Sequence, residues 1–166
     1  MKKQWRRTLE SRWRKSIGGI KMRRIVWLSK LSPDEYLALL AVGDLMIDPY
    51  PFGGGVTVLE SLSVCTPVLT APSLQSVPSL AAGIIRAMHL GPELESLLVA
   101  RSVHSYVSSA VELLGGDNFA LSPLLLTLRQ STCSIVAQTG VVFNQSSSVR
   151  EWESFITRVV SIKQSF

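Results

Sequence analysis

The stretch from Asp44 to Thr70 restricts the fold more than any other part of this sequence. Asp44-Leu45-Met46-Ile47-Asp48 is a short apolar run of strand type, and Pro49 to Gly55 follows as a turn-rich segment ending in three consecutive glycines. Residues 57–64 then read as a helix, and Thr66-Pro67-Val68-Leu69-Thr70 as another strand. Two strands joined by a helix of crossover length call for a parallel pair, which needs cover on both faces. The composition suits that demand, since 46% of residues are hydrophobic and only 17% are charged. Such a chain is either a deeply buried α/β domain or one missing a cover. Its 166 residues can bury one core, not two full nucleotide-binding domains.

The remaining pattern extends this α/β reading. Arg24-Ile25-Val26-Trp27-Leu28 is a further β-type run. Ser32 can cap a helix that Pro33, Asp34 and Glu35 open, with Tyr36, Leu37, Leu39, Leu40 and Val42 as its buried side. Helices are expected at residues 78–88, 103–114, 121–137 and 149–162, with residues 144–148 as a polar loop. Strands alternating with helices argue for a parallel sheet flanked by helices.

Charge is distributed unevenly. Of 17 Lys and Arg, 11 precede residue 31, against the single acid Glu10, so the remainder is net negative. A basic leader can serve a nucleic acid or a membrane surface. Trp5, Leu9, Trp13 and Ile17, however, recur every four residues as the apolar stripe of an amphipathic helix. Residues 1–19 are therefore read as a docking helix with its basic groups in solvent, ended by Gly18-Gly19, and nucleic acid is not the expected partner. No apolar run is long enough for a transmembrane helix, and the basic start lacks the apolar stretch of a signal peptide. A cytoplasmic or nucleocytoplasmic protein is expected. Cys65 and Cys133 stand alone without metal-like spacing and are read as small buried residues, neither ligands nor a disulfide.

Chemistry concentrates in Asp48-Pro49-Tyr50-Pro51-Phe52-Gly53-Gly54-Gly55-Val56-Thr57-Val58-Leu59-Glu60. Glycines let a backbone approach a ligand closely, and the free N–H groups opening the next helix can hold a phosphate. Thr57 could add a hydroxyl donor, and Glu60, one turn on, could accept from two ribose hydroxyls. Taken alone, such a segment serves a connecting turn as readily as a ligand. His89 and His104 are read as interfacial or surface residues, Asp44 and Asp48 as strand-end and turn residues, and no catalytic base is assigned.

The wider string resembles a known family. Residues 31–40 (LSPDEYLALL), 48–55 (DPYPFGGG), 59–62 (LESL) and 66–72 (TPVLTAP) are similar to the C-terminal catalytic lobe of protein O-linked N-acetylglucosamine transferases and related bacterial protein glycosyltransferases. The resemblance continues through Leu80-Ala81-Ala82-Gly83, Tyr106-Val107 and Val142-Phe143-Asn144. Pro33 and Tyr36 stand where the animal enzymes have a lysine and a histidine, and Gly55-Val56 where a histidine precedes a threonine pair, so the glycine-rich bacterial-like members are the closer match.

The resemblance implies a Rossmann-like parallel sheet forming the C-terminal domain of a GT-B glycosyltransferase, over residues 20–166. Gly53, Gly54, Gly55, Val56, Thr57 and Glu60 would hold the diphosphate and ribose of UDP-N-acetylglucosamine or a related UDP-sugar. Transfer would be inverting, onto a Ser or Thr of a protein acceptor, with no metal or other cofactor. The N-terminal GT-B domain would have to come from elsewhere, in cis or in trans. The alternative is an inactive nucleotide-sugar-binding fragment or pseudoenzyme.

Overall fold

The computed structural model describes residues 3–71, 79–115, 122–139, 143 and 146–163. Pro72, the segment from Leu74 to Pro78, Val142 and Asn144 lie outside them. The chain divides into two compact units, Met1–Ala38 and Leu39–Phe166.

In the first unit, α1 (Lys3–Met22) is interrupted at Gly18, whose φ of 79° and ψ of 163° leave the helical region. The break falls on the expected glycine, and helix then resumes to Met22. Trp13 of the apolar stripe stacks on Trp27 with ring centroids 5.3 Å apart, and the Arg6 guanidinium lies 5.5 Å from the centre of the same ring. Trp5 and Ile20 remain exposed, at 66% and 85%. Residues 24–28 do not form the expected strand. Among the described residues no strand runs beside them, and a lone extended segment has nothing to take its backbone hydrogen bonds. Val26 and Leu28 are accordingly exposed.

Helix α2 (Pro33–Val42) begins with a reciprocal capping box. The Ser32 N–H donates to Glu35 Oε2 at 2.8 Å, and the Glu35 N–H donates to Ser32 Oγ at 3.3 Å. The buried side expected for this helix is not realised: none of its residues is buried, and Leu39 and Val42 are exposed.

The second unit contains β1 (Met46–Ile47), α3 (Val56–Ser63), β2 (Val68–Leu69), α4 (Leu80–Ala87), α5 (Pro92–Leu98), α6 (Val103–Leu113), α7 (Pro123–Thr139) and α8 (Ser146–Lys163). The strands pair in parallel, Met46 opposite Val68 and Ile47 opposite Leu69, and a parallel bridge joins Thr70 to Val99. Both strands are shorter than expected, and among the described residues the sheet has two strands, not three. Helix α5 was not anticipated. It follows the N-cap Gly91, whose φ of 88° suits glycine, starts at Pro92, and is too short to show an apolar period. Helix α8 takes in Ser146 to Ser148, expected as loop.

The core is built by Val58 and Leu62 of α3, Val68 of β2, Ala81, Ala82 and Ile85 of α4, Leu98 of α5, Leu113 of α6, and Leu125 and Leu128 of α7. Five helices thus bury apolar side chains around the short sheet, which fixes α3 on its inner face while leaving its first turn accessible. Arg129 of α7 donates to the carbonyl oxygens of Gly43, at 2.8 Å, and Ala41, satisfying acceptors at the end of α2.

One expectation is overturned outright. Cys65 and Cys133 form a disulfide, with Cα atoms 4.8 Å apart, joining the chain just beyond α3 to α7. Their spacing of 68 residues carries no sequence signal, but α3 packs against α7, and packing brings the two sulfurs together. Cys65 also has a φ of 66°, in the left-handed region that usually takes glycine after a helix.

Candidate functional site

The chain leaves β1 at Ile47, turns through Asp48 to Gly55 and enters α3. This is the carboxyl end of the parallel pair, where ligands bind in open α/β sheets. The Tyr50–Pro51 peptide is cis, and Tyr50 and Phe52 are exposed. Gly55 is the N-cap of α3, and no side chain caps this end. The Val58 N–H bonds back to the Gly55 carbonyl at 3.1 Å. Those of Val56 and Thr57 have no recorded acceptor among the described residues, which leaves the first turn as a pair of donors at the positive end of the helix.

Asp48 organises the loop from below. It is only 1% exposed. Its Oδ1 accepts from the Gly54 N–H at 2.7 Å, and its Oδ2 accepts from the Thr70 hydroxyl at 2.8 Å. Its backbone N–H donates to the Leu69 carbonyl at 2.9 Å, and its own carbonyl accepts from the Tyr106 hydroxyl. Burial, and secondarily the neighbouring Asp48 charge, push the Tyr106 phenol above the ordinary tyrosine range, so it stays a donor. A Cβ on Gly53 would collide with the Asp48 carboxylate, and one on Gly54 with the Thr57 hydroxyl. Close approach to the buried Asp48 carboxylate, more than backbone freedom, requires glycine at position 53.

The structure therefore brings Gly53, Gly54, Gly55, Val56 and Thr57 into one turn, with Glu60 one helical turn further along α3 and half-buried. The Gly54 N–H is engaged by Asp48 and faces the fold, so the amides of the first turn are the ones left for an anion. Sequence reasoning assigned Asp48 to a strand end and missed Thr70 and Tyr106 as its partners. An acid closing an apolar strand and facing a glycine run was the available signal. His89 and His104 are exposed and lie outside this cluster. Among the described residues, no three His, Cys, Asp or Glu side chains converge, and no helix is long and apolar enough to cross a membrane.

No family model matches the chain. Over 96 residues, 58% of the chain, the sequence is 31% identical to the probable UDP-N-acetylglucosamine–peptide N-acetylglucosaminyltransferase SPINDLY of Eustoma exaltatum subsp. russellianum. A solved point mutant of the Thermobaculum terrenum O-GlcNAc transferase superposes on 90% of the chain with a TM-score of 0.70 and 23% identity. The first is a likeness of sequence over part of the chain, and the second is a likeness of fold. The match covers 10% of the plant protein and 27% of the bacterial chain, so this chain corresponds to a small part of each. The bacterial chain thus shares the sheet-and-helix arrangement described above.

Proposed function

We propose that this chain is the donor-binding part of a protein O-glycosyltransferase: the Rossmann-like C-terminal domain of a GT-B enzyme, nearest to the glycine-rich bacterial-like members. The observation that carries the reading is the uncapped start of α3, fed by a glycine loop at the carboxyl end of a parallel strand pair. Likeness to a probable peptide N-acetylglucosaminyltransferase supplies the ligand class, UDP-N-acetylglucosamine or a related UDP-sugar.

In this reading the diphosphate sits against the Gly55, Val56 and Thr57 amides with the Thr57 hydroxyl beside them, and Glu60 accepts from the ribose hydroxyls. A Ser or Thr hydroxyl of an acceptor protein attacks the anomeric carbon, the configuration inverts, and UDP departs. Negative charge grows on the diphosphate as the glycosidic bond breaks. Preorganised amides and the helix dipole meet that charge at the place where it develops. This division of labour needs no metal at the diphosphate. Residues that bind the acceptor and take its proton belong to an N-terminal GT-B domain, in cis or in trans.

Calorimetric titration with UDP, with GDP and ADP as controls, tests the reading. Saturable, UDP-selective binding is expected. Glu60→Ala should weaken it by about tenfold, the worth of a hydrogen bond to a charged group, while leaving the melting temperature in place. Failure to bind millimolar UDP would refute the donor-site assignment. Binding that survives Glu60→Ala unchanged would remove the ribose role.

A further inference from the structure

We propose that Asp48 is a positioning residue of this site: its buried carboxylate holds the glycine loop in the shape that frees the α3 amides for the diphosphate, without itself touching ligand. The inference rests on the donor-site reading above and adds a residue that the reading does not use.

Three observations carry it. First, the two carboxylate oxygens are shared between the loop and the sheet, one accepting from the Gly54 N–H and the other from the Thr70 hydroxyl. A carboxylate accepts on both oxygens and donates from neither, so it can bind both groups at once. Second, the backbone of the same residue is pinned on both sides, through Leu69 on β2 and Tyr106 on α6. The anchor is therefore fixed to the sheet, and the loop is fixed to the anchor. Third, Gly53 packs so closely that any β-carbon there would strike the carboxylate. The loop is wrapped onto Asp48.

A buried carboxylate satisfied only by neutral donors is costly, and it stands beneath a place proposed to receive an anion. Its value must then lie in geometry. By taking the Gly54 N–H inward, Asp48 sets the peptide planes that follow, so the next amides emerge at the open first turn of α3. The negative charge opposes the diphosphate, while the hydrogen bond to Gly54 presents the donors. These two contributions can be separated by mutation. Asparagine retains an oxygen for the Gly54 N–H, and its amide can donate to a Thr70 hydroxyl that has turned round. Alanine removes both contacts.

The test is UDP titration of the whole chain, with melting temperatures measured alongside. Asp48→Ala is expected to weaken UDP binding by about tenfold or more, and Asp48→Asn to stay within about threefold of wild type or bind more tightly. A merely structural role would make affinity follow melting temperature across the two variants and Thr70→Val. The inference predicts instead that Thr70→Val, which keeps the Gly54 contact, loses stability while retaining affinity. Wild type that binds no UDP would overturn the donor-site reading. Wild type that binds UDP while Asp48→Ala binds equally well would overturn the Asp48 role alone. If Asp48→Ala does not fold, amide exchange in the wild-type protein decides. The Gly54 amide should be protected with and without UDP, and the Val56 and Thr57 amides only with it. Protection of Gly54 that appears only on adding UDP would give that donor to the ligand and sink the proposal.

Discussion

Breaking the Cys65–Cys133 disulfide should destabilise the unit that carries the glycine loop by an amount that its chain separation sets. The bridge closes a loop with a sequence separation of 68 residues. Loop-closure entropy for that length corresponds to about 4 kcal/mol at 25 °C, with a further correction for any adjustment of the native state. The gain acts on the unfolded chain, so the folded contacts of α3 and α7 need not change when the bond opens. Urea titrations of oxidised and reduced wild type should differ in midpoint by roughly 2 M, given a slope of a few kcal/mol per molar for a chain of this size. In a thermal melt the same difference is roughly 10 °C. Cys133→Ser should coincide with reduced wild type and be indifferent to reductant, which separates loss of the bond from loss of packing. Oxidised and reduced wild type with the same midpoint would refute the reasoning, as would two free thiols in the oxidised, folded protein.

Other perturbations probe other parts of the structure. Leu62 is 1% exposed on the inner face of α3, and Leu62→Ala should cost about 3 kcal/mol in chemical denaturation with an unchanged slope. A loss below about 1 kcal/mol would mean that α3 is not seated in the core. Gly53→Ala drives a β-carbon into the Asp48 carboxylate, so UDP binding should fall by about tenfold or more, and unaltered affinity would show that the loop is not packed on Asp48. Hydrogen bonds from the Ser32 backbone N–H and then from its hydroxyl hold the Glu35 carboxyl below the usual glutamate range. That capping contribution is complete above the unfolded-state value and is lost as pH falls through the lower folded-state value. The Ser32 amide resonance should therefore titrate with a midpoint below the ordinary glutamate value, and a midpoint at or above that value would contradict the capping geometry.

Much of the helical structure was legible because its signals are local. Ser32 caps α2 as expected, and Glu35, three residues on, returns a bond to complete a box. Helices α3, α4, α6, α7 and α8 appear close to the residues expected for them. The strands were less legible. Residues 24–28 have the composition of a strand and no partner among the described residues to make them one, because a strand is defined by its neighbour and not by its own side chains. The apolar side of α2 failed for a related reason. Periodicity says which face would be buried if something covered it, and the exposed Leu39 and Val42 meet no such cover among the described residues.

The site divides along the same line. Its glycine loop and helix start occupy a single short segment, where residue type offered the glycines, Thr57 and Glu60 as candidates and the family resemblance assigned Gly53, Gly54, Gly55, Val56, Thr57 and Glu60 to a nucleotide sugar. What fixes the loop does not lie within that segment. Asp48 meets Gly54 six residues away, Thr70 after 22 and Tyr106 after 58, and the last two distances are created by strand pairing and by the packing of α6. The disulfide, at a separation of 68, is the same kind of fact. Chain-distant groups are brought together only by the fold, so a sequence read residue by residue shows the groups available for binding and leaves out what holds them in place. If Asp48 sets the loop, the distinction becomes functional. Residues that would touch UDP can then be intact in a relative while the site is disabled by losing an anchor that never touches the ligand. Pairing a Glu60 variant with an Asp48 variant measures this directly. If each acts on binding by its own route, through ribose contact and through loop shape, their effects on UDP affinity should multiply. An effect of the double variant no larger than that of Asp48→Ala alone would mean that the loop must be set before Glu60 can contribute.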